Sequence, residues 1–220
     1  TPTQALSLAQ QLLAHLNPSP TCQPLPEVTD AAPLGAEQNI RLKFQSAQAQ
    51  VLMGQPALKR TDPHYFALFV GNHILGGGGF VSRLTNQVRE QRGMSYSVYS
   101  YFSPAMNGGP FIAGLQTRPD QAEQALKLTQ DVIREFVKQG PTVQELKAAQ
   151  DNLIGGFALR LDSNKKLLDN LANLAWYDLP LDYLDQWTQK VAAVTVADIV
   201  QAFQRHLQPD RMVHLILGPQ

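Results

Sequence analysis

The chain has 220 residues, of which 44% are hydrophobic and 16% charged, as is ordinary for a folded globular protein. Its 18 basic and 18 acidic side chains cancel, so the net charge indicates neither nucleic acid nor an anionic membrane as a partner. No apolar run approaches the roughly 18 residues that a membrane-spanning helix needs. Cys22 is the single cysteine, which excludes an internal disulfide, and we interpret it as a bystander in a proline-rich stretch.

The first 35 residues fall into two parts. Thr1 to Leu16 is predicted to be a helix, because apolar residues recur at spacings of three and four along one face and Pro2 suits a first helical turn. Residues 17–35 contain five prolines without periodicity, which is typical of a linker. We therefore predict a terminal helix at 1–16, a proline-rich linker at 17–35 and one folded domain at 36–220.

Alternating apolar residues predict strands in the rest of the chain, and apolar residues at helical spacing predict helices. In chain order the predicted elements are strands 39–45 and 49–53, a helix from 62 to the glycines at 76–79, helix 82–91, strands 96–102 and 111–116, helices 120–139, 142–161, 165–177, 181–191 and 195–207, and strand 211–217. Strands thus precede helices, and a last strand returns to the sheet. This order predicts an α+β fold, a two-layer sandwich in which helices cover one face of an antiparallel-rich sheet.

Several kinds of chemistry are missing from the sequence. None of the histidines lies in an HxxEH or HExxH pattern, so no zinc site is predicted, and we interpret all of them as structural or surface residues: His15, His64, His73, His206 and His214. The glycines at 76–79 are followed by Phe80 rather than by the Gly-Lys-Ser/Thr of a phosphate-binding loop. A GxSxG nucleophile elbow is also absent. Nucleotide binding and serine hydrolysis are therefore not supported.

The stretch from Asn72 to Tyr99 holds the residues with candidate chemistry. Gly76 to Gly79 form either a flexible loop that lets an extended peptide approach or a simple connector between helices. Arg89 and Tyr96 lie seven residues apart on either side of a predicted turn, which can bring both to one surface. Together they offer donors to a peptide carbonyl or to the oxyanion formed when it is attacked. Alternatively, Arg89 forms a surface ion pair with Glu90 or a neighbouring carboxylate, and Tyr96 is a half-buried core residue.

Three segments of the sequence are similar to those of a known family. They are DPHYFALFVGNHILGGGG at 62–79, ILGGGGFVSRLTNQVREQRGMSYSVYSYF at 74–102 and GPTVQELKAAQDNLIGGFALRLDS at 140–163. These segments resemble the second domain of the insulinase/pitrilysin family of zinc metallopeptidases, which includes the mitochondrial processing peptidases. The chain is most similar to the bacterial half-size members.

The resemblance implies a processing-peptidase-like metallohydrolase fold, in which paired α+β domains close around an unfolded peptide. In this family the first domain holds zinc through HxxEH and a distant glutamate, and the second faces it without metal. An arginine and a tyrosine of the second domain reach the scissile peptide, and here their pattern falls on Arg89 and Tyr96. Gly76 to Gly79 look like a short counterpart of the substrate-handling glycine loop of the processing peptidases.

From this resemblance we expect a substrate-binding, zinc-free domain that is inactive alone. Arg89 and Tyr96 would assist peptide binding and oxyanion stabilisation. No cofactor is expected in this chain, and zinc is expected in a missing N-terminal domain or in an HxxEH-bearing partner subunit. The chain would then be a fragment of a longer protein, and the resemblance favours the bacterial periplasm. The alternative is a non-catalytic structural or assembly subunit derived from the same family, which would not need Arg89 and Tyr96.

Overall fold

The computed structural model describes residues 1–16 and 26–219, which form seven α-helices and five strands in two layers. The α-helices are α1 (Pro2–Ala14), α2 (Tyr65–Asn72), α3 (Ala122–Gln139), α4 (Val143–Gly155), α5 (Asn164–Trp176), α6 (Tyr183–Ala192) and α7 (Val196–His206). The strands are β1 (Gln38–Lys43), β2 (Ala49–Leu58), β3 (Ser97–Phe102), β4 (Gly109–Thr117) and β5 (Val213–Gly218). Two π-helical turns, His73–Gly77 and Thr85–Glu90, lie between α2 and β3.

The strands form one sheet in the order β1-β5-β2-β4-β3. β2 pairs antiparallel with both β4 and β5, and β3 pairs antiparallel with β4. The exception is β1, which runs parallel to β5 and places Ile40 opposite Leu215. The predicted α+β two-layer sandwich, with an antiparallel-rich sheet and a last strand that returns to it, is therefore confirmed.

The hydrophobic core lies between the sheet and the helices on one of its faces. Alternate side chains of β2 and β4 point into it, among them Val51, Met53 and Phe111, each at most 2% exposed. From the helical layer, Phe136 of α3 and Phe203 of α7 meet with ring centroids 4.9 Å apart, and both are fully buried. Burying a side chain of this size contributes about 1.5–3 kcal/mol, so this contact helps to hold α3 against α7.

Two helices begin with a capping box. At the start of α4, the Thr142 hydroxyl accepts a hydrogen bond from the Glu145 N–H at 3.1 Å, while the Glu145 carboxylate accepts one from the Thr142 N–H at 2.7 Å. The same reciprocal pair joins Thr195 and Asp198 at the start of α7. Because each cap satisfies a backbone N–H that has no partner within the helix, each contributes about 1 kcal/mol.

Two predicted boundaries differ from the structure by five or more residues. β2 continues to Leu58, beyond the predicted end at Met53, because its alternating side chains stay buried or half-buried along the whole strand. α4 ends at Gly155 rather than at Leu161, and a short 3-10 turn, Phe157–Arg160, follows it. The consecutive glycines at 155 and 156 explain this early end, since glycine costs a helix about 1 kcal/mol relative to alanine.

The alternation of Ile40, Leu42 and Phe44 with polar residues predicts that β1 is a half-solvated strand of an antiparallel sheet, and this prediction is wrong. It pairs in parallel with β5 at one edge of the sheet, and all of its residues are exposed. Ile40 and Leu42, on its predicted inner face, are 40% and 50% exposed. Alternation along a strand shows which residues share a face, but it does not specify the neighbouring strand or whether that face is covered.

The N-terminal helix forms as predicted, with Thr1 as its N-cap and Pro2 in its first turn. None of its residues is buried, and the exposed fractions of its leucines range from 59% for Leu8 to 66% for Leu16, just beyond its end. Of the predicted linker, residues 17–25 lie outside the described part of the chain, and residues 26–35 are irregular. None of the helices within 1–16 and 26–219 combines the length and apolarity needed to cross a membrane.

Candidate functional site

The candidate site is built on the segment between α2 and β3. A helical segment begins after Ser82, which is fully buried and whose hydroxyl accepts a hydrogen bond from the Thr85 N–H at 3.4 Å. Ser82 therefore caps this segment. From Thr85 to Glu90 the helix widens into a π-helical turn. Such turns displace the residues that follow them and occur frequently at functional sites.

Arg83 fixes this segment to the helical layer. Its Nε and Nη2 atoms each donate to a Glu145 carboxylate oxygen at 2.7 Å, and Nη2 also donates to the Gly140 carbonyl at 3.0 Å. The guanidinium holds the pKa of Glu145 well below its usual value, at about 2, against the opposing effect of burial and with help from hydrogen bonds to Thr142. A bidentate, partly buried pair of this kind fixes orientation as well as distance.

Gly93 reverses the chain between Arg89 and Tyr96. Its φ of +61° is left-handed, and its N–H donates to the Arg89 carbonyl at 2.9 Å, which ends the helical segment. After this turn, the Arg89 guanidinium carbon lies 5.3 Å from the centroid of the Tyr96 ring and 4.8 Å from that of the Phe80 ring. We call Phe80, Arg89 and Tyr96 the Arg89 cluster.

The aromatic members of the Arg89 cluster lie at the surface. Phe80 is 74% exposed and Tyr96 is 78% exposed, and the neighbouring Val81 is 81% exposed. Large apolar side chains grouped at a surface mark interaction sites. The Arg89 side chain is less exposed, and its Nε lies 3.3 Å from a Glu90 carboxylate oxygen. The cluster therefore presents guanidinium and phenol donors on an exposed aromatic surface.

The structure places Arg89 and Tyr96 side by side, as the predicted turn requires. The alternative interpretation is met only in part: the ion pair between Arg89 and Glu90 is present, but Tyr96 is exposed rather than half-buried. Phe80 was not singled out from the sequence. The signal that could have identified it is a bulky aromatic residue directly after the glycine run, where a connecting turn is usually polar.

The glycines of the run have different surroundings. A Cβ atom on Gly76 would lie 2.6 Å from the Ser100 backbone nitrogen, so only glycine lets the end of the helix touch β3 here. Asn72 completes this contact, because its Nδ2 donates to the Ser100 carbonyl at 3.0 Å and its Oδ1 accepts from the Ser100 hydroxyl at 2.8 Å. Gly79 instead has a φ of +63° and open space at its Cβ position. The role of Gly76 to Gly79 in substrate binding stays a prediction.

Gly77 and Gly78 face their own helix. A Cβ atom would lie 2.7 Å from Asn72 Nδ2 at Gly77 and 2.6 Å from the His73 carbonyl oxygen at Gly78. Beside the run, a cavity of about 480 Å³ opens between α2 and β3, with Phe69 and Tyr99 among its lining residues. This volume falls within the range of ligand pockets, so a side chain of a bound peptide would fit there.

Comparison with known proteins identifies the family of the chain. The family described as "Peptidase M16 inactive domain" matches residues 1–153. An uncharacterized zinc protease of Streptomyces coelicolor is 33% identical over 203 residues, which cover 91% of this chain and 43% of that protein. The crystal structure of a peptidase M16 inactive domain from Pseudomonas fluorescens is similar with a TM-score of 0.91 and 38% identity, over 100% of this chain and 51% of that one.

A further relative, from Helicobacter pylori, is named a non-peptidase homolog. It is 30% identical over 145 residues, which cover 64% of this chain and 33% of that protein. The chain thus spans less than half the length of these curated relatives. The resemblance to the second domain of insulinase-like peptidases is confirmed, since the match extends over most of the chain. The chain belongs to the family of peptidase M16 inactive domains.

Proposed function

We propose that this chain is the substrate-binding half of an M16 zinc metallopeptidase, and that the Arg89 cluster contacts the peptide at the bond to be cleaved. The observation that carries the proposal is the position of the Arg89 guanidinium between two exposed rings, 5.3 Å from Tyr96 and 4.8 Å from Phe80. The exposed apolar side chains around this guanidinium also support the proposal, because such groups mark interaction sites.

The proposed chemical role of Arg89 and Tyr96 is to stabilise the negative charge that develops on the substrate during the reaction. A peptide carbonyl that is attacked acquires negative charge on its oxygen, and donors already in place lower the barrier to that change. Arg89 offers guanidinium N–H groups and Tyr96 a phenol O–H. The guanidinium carbon lies over both rings at cation–π distance, so the rings restrict the motion of the guanidinium.

The residues of this chain do not fit the catalytic zinc site of the family, because HxxEH is absent from its 220 residues. In the complete enzyme, a zinc ion held elsewhere would activate the attacking water. To this chain we assign peptide binding and charge stabilisation only. We therefore expect no peptide hydrolysis by this chain alone.

A second candidate function is that of a non-catalytic assembly subunit. One observation favours it: the Helicobacter pylori relative is named a non-peptidase homolog. An assembly subunit would use the exposed rings of Phe80 and Tyr96 as a protein interface and would not need their neighbouring donors. The two functions therefore differ in whether the Tyr96 hydroxyl and the Arg89 guanidinium affect turnover.

The test is steady-state hydrolysis of an unfolded peptide by the complete enzyme, in which this chain is joined to or combined with its zinc-bearing half. We expect Arg89→Ala and Tyr96→Phe each to lower kcat by about tenfold or more, which corresponds to ~1.4 kcal/mol of transition-state stabilisation. Tyr96→Phe keeps the exposed ring and removes only the hydroxyl, so it separates donation from surface contact.

Arg92→Ala is the matched control, because Arg92 is an exposed arginine of the same turn that donates to the Gln87 carbonyl at 3.1 Å. It is expected to leave kcat unchanged. Circular dichroism of each variant checks folding. If kcat is unchanged in both Arg89→Ala and Tyr96→Phe, the catalytic role is refuted and the assembly function is favoured.

A further inference from the structure

Three side chains with metal-binding groups converge at the end of α2 that lies away from the glycine run. Asp62 and His64 belong to the turn that enters α2, and His206 is the last residue of α7. One ligand atom from each residue lies within 4.8 Å of the other two. The residues come from distant parts of the chain, so it is the packing of α2 against α7 that brings them together.

The distances among the three atoms match a metal site. His64 Nδ1 lies 3.1 Å from His206 Nε2 and 3.4 Å from Asp62 Oδ1, and His206 Nε2 lies 3.6 Å from Asp62 Oδ1. In a tetrahedral zinc site with bonds of about 2.0–2.1 Å, neighbouring ligand atoms are about 3.3 Å apart. The three atoms therefore form one face of a tetrahedron of the right size.

Hydrogen bonds around the cluster hold the ligand atoms in the required state. His206 Nδ1 lies 3.3 Å from the Ala57 carbonyl, which can only accept a hydrogen bond, so this ring nitrogen carries the proton. In a neutral ring, Nε2 then keeps its lone pair and faces the cluster. A histidine fixed in this way through its second nitrogen is the usual arrangement in metal sites. Asp62 is held as well, since its Oδ1 accepts the His64 backbone N–H at 2.8 Å.

Hydrogen bonds leave two acceptor atoms of the trio facing each other, although Asp62 Oδ1 also accepts the His64 backbone N–H. The lone pairs of His206 Nε2 and Asp62 Oδ1 face each other across 3.6 Å, and the Nδ1–H of a neutral His64 can donate fully to only one of them. A divalent cation would satisfy all three atoms at once. Two imidazole nitrogens and one carboxylate oxygen favour Zn²⁺ and its neighbours in the first transition row over Mg²⁺ or Ca²⁺.

The three side chains are largely buried but remain accessible to solvent. The His206 side chain is 9% exposed, and those of Asp62 and His64 are each 22% exposed. A cavity of about 520 Å³ adjoins the cluster, and Asp62, His64 and Asp198 are among its lining residues. A water molecule has room to enter from this cavity and complete four-coordination.

We propose that Asp62, His64 and His206 bind one Zn²⁺ ion, with water as the fourth ligand. The ion joins the turn before α2 to the end of α7 and so links two helices that pack together in the core. This site does not depend on the proposed role of the Arg89 cluster, and either proposal stands if the other fails.

The test is titration of the metal-stripped chain with Zn²⁺ alone. Isothermal titration calorimetry measures the affinity, and metal analysis measures the number of bound ions. We expect one bound ion per chain and a rise in Tm of about 5–10 °C when free Zn²⁺ is about a hundredfold above its Kd. Asp62→Asn and His206→Ala are expected to weaken binding by about a hundredfold or more, which exceeds the loss typical of residues that only support ligands.

His15→Ala is the matched control, because His15 is an exposed histidine beside α1 and is expected to leave Zn²⁺ binding unchanged. Asp62→Asn keeps the size of the side chain, and its folding is checked by circular dichroism. As a measurement without any substitution, Co²⁺ bound to the wild-type chain should show the strong visible absorption of a tetrahedral site. Absence of one-to-one binding, retention of it in Asp62→Asn and His206→Ala, or a weak octahedral Co²⁺ spectrum would each overturn the proposal.

Discussion

The two ends of one helix carry two different kinds of site. α2 and the π-helical turn that continues it run from Tyr65 to Gly77, a length of about 20 Å at 1.5 Å per residue. At the C-terminal end lies the Arg89 cluster, which is exposed, aromatic and built from residues close in sequence. At the N-terminal end lie Asp62 and His64, which meet His206 from 142 residues away in a partly buried polar cluster.

This contrast separates what a local turn can arrange from what only the complete fold can arrange. Arg89 and Tyr96 need only the reversal at Gly93 to meet. His64 and His206 need α2 and α7 to pack correctly on the same core. We therefore expect the Arg89 end to respond to local changes in the glycine segment and its anchor, and the histidine end to respond to metal.

The largest expected effect concerns the contact that seats the Arg89 end on the sheet. Gly76→Ala should lower the free energy of unfolding by about 2–3 kcal/mol, because its Cβ would press on the backbone of Ser100, which cannot move aside cheaply. Gly79→Ala is the control within the same run. It should cost about 1 kcal/mol, since only its left-handed backbone is strained.

Urea unfolding of both variants measures the difference. Equal losses for Gly76→Ala and Gly79→Ala would show that close helix-strand contact is not what the run provides. That result would favour the interpretation of Gly76 to Gly79 as a flexible substrate loop.

The next effect concerns the charge pair that anchors the same end. The folded-state pKa of Glu145 is lowered to about 2 from 4.5, so its contribution is fully present above pH 4.5 and is lost as the pH falls toward 2. Allowing for solvent screening of a partly exposed carboxylate, Glu145→Gln should cost about 1–2 kcal/mol at pH 7. The difference from the wild type should shrink steadily between pH 4.5 and pH 2.

Urea unfolding over this pH range tests the prediction. Asp151→Asn on the same helix is the control, because Asp151 pairs with Lys147 at 2.8 Å with both side chains well exposed. Its cost should stay below about 0.5 kcal/mol at every pH. A Glu145→Gln penalty that does not depend on pH would contradict the assignment to the Arg83 ion pair.

The smallest expected effect concerns Phe80. Phe80→Leu removes one ring from the guanidinium of Arg89, an interaction of about 0.5–1 kcal/mol at an exposed site. Stability should change by less than about 0.5 kcal/mol, as for most surface substitutions, while KM for an unfolded peptide rises a few-fold in the complete enzyme. A large loss of stability with unchanged KM would place Phe80 in packing rather than in binding.

Much of the fold follows from patterns within single elements. α7 was predicted from apolar residues at helical spacing, and the structure adds a capping box between Thr195 and Asp198 at its start. The π-helical turns were not predicted, since they depend on contacts such as that of Gly76 with Ser100 from another element. The parallel pairing of β1 was missed for a similar reason, because its alternation carries no information about its neighbour.

The candidate sites follow the same rule. Arg89 and Tyr96 were found from the sequence because a short turn joins them and because their spacing matches a family pattern. His206 was interpreted as an ordinary histidine, because a search for closely spaced ligands does not detect His64, which lies 142 residues away in sequence. The predicted absence of zinc from this chain rested on the absence of the HxxEH and HExxH motifs, and metal analysis tests it.

The contact between Asn72 and Ser100 also bears on resistance to aggregation. β3 ends the sheet on one side, and an open sheet edge is a template on which other chains can add strands. At the middle of this edge, the Ser100 carbonyl already accepts a hydrogen bond from the Asn72 amide at 3.0 Å. Because the Asn72 amide already donates to this carbonyl, a strand added here would compete with it, so the amide that seats α2 on the sheet also opposes strand addition at this edge.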